Sequence, residues 1–118
     1  MTKRDAHQIK RWFQRAVIGL LGWNITFVFG LVPEKDEGNP SLGACKPDLP
    51  YHTAVIYINP KAHETQPAPL DDPAETLMHE LLHVFHCECG IIDDGERAEY
   101  AVNQLASILL KQYRADTK

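Results

Sequence analysis

The segment from Asp72 to Gly90 constrains the fold of this chain most, because it marks both the beginning and the end of one helix. Asp72 followed by Pro73 is a frequent helix start, with an N-cap side chain and a proline in the first turn. Glu75 adds a capping-box residue, and glycine is the usual residue at a helix C-terminus. We therefore predict a helix from Asp72 to about Cys89, with Gly90 as its stop.

This helix carries two histidines, His79 and His83, with Glu80 next to the first. Residues four apart lie on one helix face, so both imidazole rings can bind one zinc ion, and Glu80 can reach a water on that ion. The alternative is a core helix on which both histidines are satisfied polar residues beside the apolar set Leu77, Leu81, Leu82, Val84 and Phe85. We prefer the metal site, since three polar groups at the packing edge are costly without a ligand.

A catalytic zinc site usually has three protein ligands and one open position for water, so two histidines need a further ligand. The spacing of Asp93 and Glu96 predicts the capped start of a last helix. If this helix packs antiparallel to the first one, Glu99 returns beside the histidines, and we predict His79, His83 and Glu99 as the metal ligands. Glu96 is the rival ligand, but its capping role already explains it.

Four residues near the motif receive smaller roles. Asn103, one turn past the predicted third ligand, is expected to hydrogen-bond a ligating histidine. His86 lies about 10.5 Å along the helix axis from His79, which is too far to share one ion, and we expect a capping or partly exposed residue. Cys87 and Cys89 lack the CxxC spacing and are interpreted as ordinary thiols.

The other elements follow from periodicity and from turn residues. We predict a first helix with Asp5 as N-cap and Gly22 as stop, then strands at residues 23–32, 42–46 and 51–59. The apolar stripe of the first helix is expected to contain Ile9, Trp12, Phe13, Ala16 and Leu20. The last helix should end near Arg114 and bury Ala98, Ala101, Val102, Leu105, Ile108 and Leu109.

Composition limits the class of protein. With 118 residues the chain is long enough for one domain only. The apolar run at residues 17–32 is short for a membrane span, and no secretory signal is visible, so we expect a cytoplasmic protein. Three cysteines argue against a disulfide framework. The net charge of −4 argues against nucleic-acid binding. We interpret the basic cluster near the N-terminus as a solvated helix face; it contains Lys3, Arg4, Lys10, Arg11 and Arg15.

These motifs resemble those of the gluzincin metallopeptidases, specifically the minigluzincins and the ImmA/IrrE-like peptidases. The segment from His79 to His83 resembles the zinc-binding helix of that family. Glu99 to Ala106, followed by two leucines, is similar to its glutamate helix, with Val102 where alanine is usual. The strand ending at Asn59 is similar to the strand before the zinc helix, so that the resemblance covers about residues 51 to 110.

The resemblance implies one zincin-like α+β domain over residues 1–118, with an N-terminal helix, a three-stranded sheet and two zinc-carrying helices. It implies a zinc endopeptidase in which Zn²⁺ activates water, Glu80 is the general base, and the substrate is a regulatory or repressor protein. It also implies that the strand at residues 51–59 is an edge strand beside the cleft, where the substrate would pair with Val55, Ile56 and Tyr57. Tyr100 and Tyr113 are the candidates for stabilising the oxyanion.

Other classes of protein share parts of this pattern. The metzincin motif needs glycine and histidine where this chain has His86 and Cys89, which excludes that class. A SprT-like DNA-associated peptidase would use the same zinc helix, and the basic first helix is its added support. A non-catalytic zinc-containing module that binds a partner protein is the third alternative, since no residue is firmly assigned to the oxyanion.

Overall fold

The computed structural model describes residues 1–16, 20–30, 43–59, 72–91 and 95–117. These contain helix α1 (Lys3–Ala16), strands β1 (Asn24–Phe29), β2 (Gly43–Asp48) and β3 (Thr53–Ile58), and helices α2 (Pro73–Cys89) and α3 (Glu96–Asp116). A 3-10 turn at Leu49–Tyr51 joins β2 to β3. The predicted α+β layout of an N-terminal helix, a three-stranded sheet and two further helices is confirmed. No described helix combines the length and the apolar character needed to cross a membrane.

The sheet is mixed, with β3 between its two neighbours in the order β1-β3-β2. β3 pairs in parallel with β1 and antiparallel with β2 along its whole length. The prediction that Val55, Ile56 and Tyr57 form a substrate-binding edge is therefore wrong. The edge beside α2 is β2, which contains Pro47 between the charged Lys46 and Asp48, as suits an edge strand, while the apolar β3 suits the centre.

The core lies between the inner face of the sheet and the three helices. Alternate residues of β1 and β3 point to this face, and they meet the apolar sides of α1 and α2. The buried side chains include Phe13, Ile25, Phe27, Ala54, Ile56, Ile58, Leu77, Leu81 and Val84.

The start of α1 differs from its prediction. The Thr2 hydroxyl accepts a hydrogen bond from the Asp5 amide at 3.2 Å, and the Asp5 carboxylate accepts one from the Thr2 amide at 2.9 Å. Thr2 is therefore the N-cap, and Asp5 is the acidic partner of a capping box. These hydrogen bonds hold the pKa of Asp5 below its usual value. The described part of α1 ends at Ala16, which is exposed rather than buried, and residues 17–19 lie outside the described ranges.

Helix α2 has the predicted bounds. The Asp72 carboxylate accepts a hydrogen bond from the Ala74 amide at 3.0 Å, and Pro73 occupies the first turn. Gly90 ends the helix with a φ of 71°, in the left-handed region that glycine adopts without strain. Its amide donates to the carbonyls of Cys87 and His86, so the chain leaves α2 in a defined direction.

Helix α3 begins and packs differently from its prediction. Gly95 is its N-cap and supplies no capping side chain, and residues 92–94, including Asp93, lie outside the described ranges. The fully buried stripe is Val102, Ala106 and Leu110. The predicted stripe residues Ala101, Leu105 and Ile108 are instead exposed. The helix has apolar residues on two faces, and the face with small Ala106 is the one that packs inward.

Candidate metal centre

The packing of α3 on α2 returns the first turn of α3 to the middle of α2. Arg114, near the end of α3, pairs with the N-cap Asp72 of α2 at 2.8 Å. The end of one helix therefore lies beside the start of the other, and the two helices run antiparallel. Glu99 lies three residues before the buried Val102, on the side that faces α2. Its carboxylate meets the two histidines there.

Three side-chain donor groups converge at this point. The Nε2 atoms of His79 and His83 are 2.9 Å apart. The carboxylate of Glu99 places Oε1 at 3.1 Å from Nε2 of His83 and Oε2 at 3.3 Å from Nε2 of His79. Nitrogen and oxygen ligands of a tetrahedral zinc ion, each about 2.0–2.2 Å from the metal, lie roughly 3.4 Å from one another. Two imidazoles and one carboxylate at this spacing fit such an ion.

The exposure of these side chains is uneven. Those of His79 and His83 are 19% and 15% exposed, whereas that of Glu99 is 50% exposed. The histidines are thus supported by packing on most sides, and the glutamate borders solvent. A group of this kind at the surface is accessible to an ion and to a ligand of that ion.

Glu80 lies beside the same point but is buried, with 5% exposure. A carboxylate oxygen of Glu80 and one ring nitrogen from each of His79 and His83 lie within 4.8 Å of one another. Glu99, whose carboxylate oxygens lie 3.1 Å from Nε2 of His83 and 3.3 Å from Nε2 of His79, is the candidate for the third ligand. Neighbouring residues on a helix also point about 100° apart, so Glu80 projects away from the row of His79 and His83. A carboxylate at this position could accept a proton from a water molecule held at the donor group.

Gly43 brings the edge strand β2 against this part of α2. A Cβ atom added at Gly43 would lie 2.6 Å from Cγ2 of Thr76, 2.9 Å from the carbonyl oxygen of Tyr57 and 3.6 Å from Cγ of Glu80. Only glycine allows the strand to approach this closely. The sequence signal for this contact is a glycine inside the predicted strand at residues 42–46, and Gly43 is not among the predicted site residues.

The far end of α3 is held by both other helices. Trp12 of α1 donates its indole N–H to Asp116 at 2.9 Å, and Gln112 donates to the same carboxylate at 2.8 Å. The hydrogen bond from Trp12 is the main reason that the pKa of Asp116 lies below its usual value. Together with the pair of Arg114 and Asp72, these contacts fix the axis along which Glu99 approaches the histidines.

A second His and Glu cluster lies at the C-terminal end of α2. Trp23 donates its indole N–H to Oε2 of Glu88 at 2.8 Å. The His52 ring stacks on Trp23 with centroids 5.3 Å apart, and its Nε2 lies 3.6 Å from the same Glu88 oxygen. This cluster joins the last turn of α2 to the residues that precede β1 and β3. No sequence motif marks His52 for this role.

The remaining predicted site residues lie elsewhere. Asn103 is exposed, and no hydrogen bond within the described ranges joins it to His79 or His83, so its predicted role is not supported. Tyr113 packs edge-to-face on Trp12 at 5.7 Å, about 21 Å along α3 from Glu99, which excludes it as the oxyanion residue. Tyr100, adjacent to Glu99, is exposed.

The three cysteines belong to the described chain and form no disulfide. His86 and Cys87 are half-buried, and Cys89 is exposed. Comparisons of the chain with protein-family models, with curated proteins and with solved structures find no match. The functional inference therefore depends on the geometry of the donor groups.

Proposed function

We propose that this chain is a gluzincin-type zinc peptidase in which His79, His83 and Glu99 bind Zn²⁺ and Glu80 is the general base. The observation that carries the proposal is the convergence of three side chains: the Nε2 atoms of His79 and His83 are 2.9 Å apart, and each has one carboxylate oxygen of Glu99 at 3.1 or 3.3 Å. It joins two helices and contains the two ligand types found in catalytic zinc sites. The buried Glu80 beside it supports a hydrolytic reaction rather than metal storage.

The chemistry divides between the ion and the protein. Bound zinc would polarise the peptide carbonyl and lower the pKa of a water molecule. Glu80 accepts a proton as that water attacks the carbonyl carbon, and it then delivers the proton to the departing amine nitrogen. The burial of Glu80 keeps bulk water away from its carboxylate. Because Glu80 follows His79 directly in the chain, the carboxylate stays beside the reacting atoms.

The open side of β2 is the proposed substrate strand, in place of β3. Among the described strands β2 has a neighbour on one side only, so an extended peptide can pair with its other side. Gly43 brings this strand next to Glu80, which supports presentation of a peptide carbonyl near the reacting centre. Such an edge fits an exposed loop or terminus of a protein, for which a regulatory or repressor protein is our proposed class.

The decisive experiment combines metal analysis with cleavage of an unfolded protein such as casein. We expect one zinc per wild-type chain, and we expect Glu80→Gln to retain zinc while cleavage falls about 100-fold or more. Glu96→Gln, an exposed glutamate one turn before Glu99, is the matched control and should retain both properties. Absence of stoichiometric zinc in the wild type would refute the proposal.

A second candidate is a non-catalytic zinc module that binds a partner protein. The position of Tyr113 against Trp12 favours it, because this removes one of the two candidate oxyanion residues. Stoichiometric zinc without cleavage of any peptide in a broad library would identify this function. Cleavage that depends on Glu80 would exclude it.

A further inference from the structure

Helix α1 has a charged face that the proposed peptidase reaction does not use. Its cations are Lys3, Arg4, Lys10, Arg11 and Arg15. Helical spacing arranges them in two adjoining rows, one with the lysines and one with the arginines. The rows point away from the buried side of the helix, and all except the half-buried Lys10 are exposed.

Within the part of the chain that the structure describes, no ion pair neutralises these charges. The ion pairs within the described ranges involve His52, His79, His83 and Arg114, and none includes a cation of α1. Asp5, the only acid on the helix, is occupied by Thr2. The surroundings of His7 show the resulting positive potential, since burial and then Lys10, Arg11 and Lys3 lower the pKa of its imidazole.

The charge is also segregated from the remainder of the chain. Residues 1–16 contain five of the twelve Lys and Arg residues and one of the sixteen acids. Residues 17–118 consequently carry a formal charge of −8, although the whole chain carries −4. Five cations on one short helix repel one another, and a polyanion on this face would relieve that repulsion.

We propose that the exposed face of α1 binds the phosphate backbone of double-stranded nucleic acid without sequence preference. A protein interface would need an apolar centre, but the large apolar residues of α1, namely Ile9, Trp12 and Phe13, are buried. The helix also has no exposed Phe, Tyr or Trp side chain for stacking on unpaired bases, and its one exposed ring, that of His7, packs edge-on against Phe27. Interfaces with duplex backbones are polar and strongly basic, as this face is.

The proposal is independent of the zinc site and reverses the expectation of a merely solvated face. The arginine row from Arg4 to Arg15 spans about 16 Å. A face of this length presents several cations to one backbone at the same time. With four to five phosphate contacts, the logarithm of the binding constant should fall with the logarithm of salt concentration with a slope of about −4.

The test measures the anisotropy of a labelled random-sequence DNA duplex with the full chain, in salt from about 50 to 200 mM. We expect binding with the steep slope above, and we expect Arg4→Gln/Arg11→Gln to reduce the slope by about 2 and the affinity by roughly tenfold. The matched control is Arg97→Gln/Lys111→Gln, which removes two exposed cations from α3 and should change affinity less than twofold. Circular dichroism checks that both variants keep their helices.

Three results would overturn the proposal. One is no binding of the duplex at the lowest salt concentration. The second is an equal loss of affinity in the α1 and α3 variants, which would show a general charge effect. The third is displacement of the duplex by polyglutamate at an equal concentration of charges, which would identify an acidic protein as the better partner.

Discussion

Both clusters on α2 contain His and Glu side chains, but the carboxylates of the two clusters have different hydrogen-bond partners. At the C-terminal end, the indole of Trp23 donates a proton to Glu88, and His52 lies 3.6 Å from the same carboxylate. In the middle of the helix, both oxygens of Glu99 face ring nitrogens at 3.1 and 3.3 Å, and the two Nε2 atoms lie 2.9 Å from each other. In the first cluster the carboxylate already has an N–H donor. In the second, the donor atoms converge on one point where a cation fits.

Donor atoms that converge on one point indicate a metal site, whereas the presence of His and Glu in a cluster does not by itself. Three donor atoms within one coordination sphere must come from side chains that the fold aims at one point. A carboxylate with its own N–H donor has no need of an ion. Both clusters depend on α2, so variants of α2 and its neighbours can separate their roles.

Replacement of the two glutamates should produce the largest difference. Glu99→Ala removes a predicted zinc ligand, and we expect zinc affinity to fall by on the order of 100-fold or more, since even loss of an outer hydrogen-bond partner costs 10–100-fold. Glu88→Ala is the matched change in the other cluster and should leave zinc affinity within twofold of wild type. Isothermal titration with zinc measures both. Equal losses in the two variants would show that the clusters are not distinct.

Substitution of Gly43 should have the next largest effect. In Gly43→Ala the new methyl group would lie 2.6 Å from Thr76, so the strand or the helix must shift, at a cost of about 1–3 kcal/mol in the free energy of unfolding. Urea denaturation measures this, and cleavage should fall further than zinc affinity because β2 moves away from Glu80. Gly30→Ala is the control, since a Cβ there meets no atom within 4 Å. Similar stability of both variants would contradict the close approach.

Removal of the indole donor should have a smaller effect, confined to the hydrogen-bonded cluster. Trp23→Phe keeps an aromatic ring for His52 but deletes the N–H donated to Glu88, and we expect a loss of about 1 kcal/mol in the free energy of unfolding. Zinc affinity should not change. A large loss of zinc affinity would mean that the last turn of α2 also positions the metal ligands.

The smallest predicted effect concerns pH and the far end of α3. The hydrogen bond from Trp12 lowers the pKa of Asp116 below its ordinary value of 3.8. The ionised carboxylate therefore stabilises the fold above that value, and this contribution is lost as pH falls through the lower pKa of the folded state. Stability curves between pH 5 and 2 should be slightly shallower for Asp116→Asn than for wild type. A steeper curve for the variant would contradict this assignment.

Local chemistry made much of the site predictable. Capping by Asp72 and termination at Gly90 depend on neighbouring residues, so the bounds of α2 and the shared face of its histidines follow from the sequence. Glu99 required only one further assumption, that the last helix returns antiparallel. The structure brings the three predicted ligands together, and their binding of zinc stays a prediction.

The face that α3 buries was not predictable from local sequence. Helix α3 has two apolar faces, and only packing against α2 selected Val102 and Ala106 rather than Leu105 and Ile108. Asn103 was consequently left in solvent. The expected cap at Asp93 failed to predict the helix start for a related reason, because the N-cap is Gly95, which offers no side-chain signal.

By itself the sequence determined the helix that carries the histidines, the α+β layout and the unequal distribution of charge along the chain. Each of these depends on residues close together in the chain, where hydrogen bonds and periodicity act. The tertiary structure decided the strand order β1-β3-β2: Pro47 and the apolar run of β3 agree with this order, but backbone hydrogen bonds are alike in every strand and do not specify which strands pair. It also decided the contact at Gly43, since the close approach of a strand and a helix depends on all the packing between them.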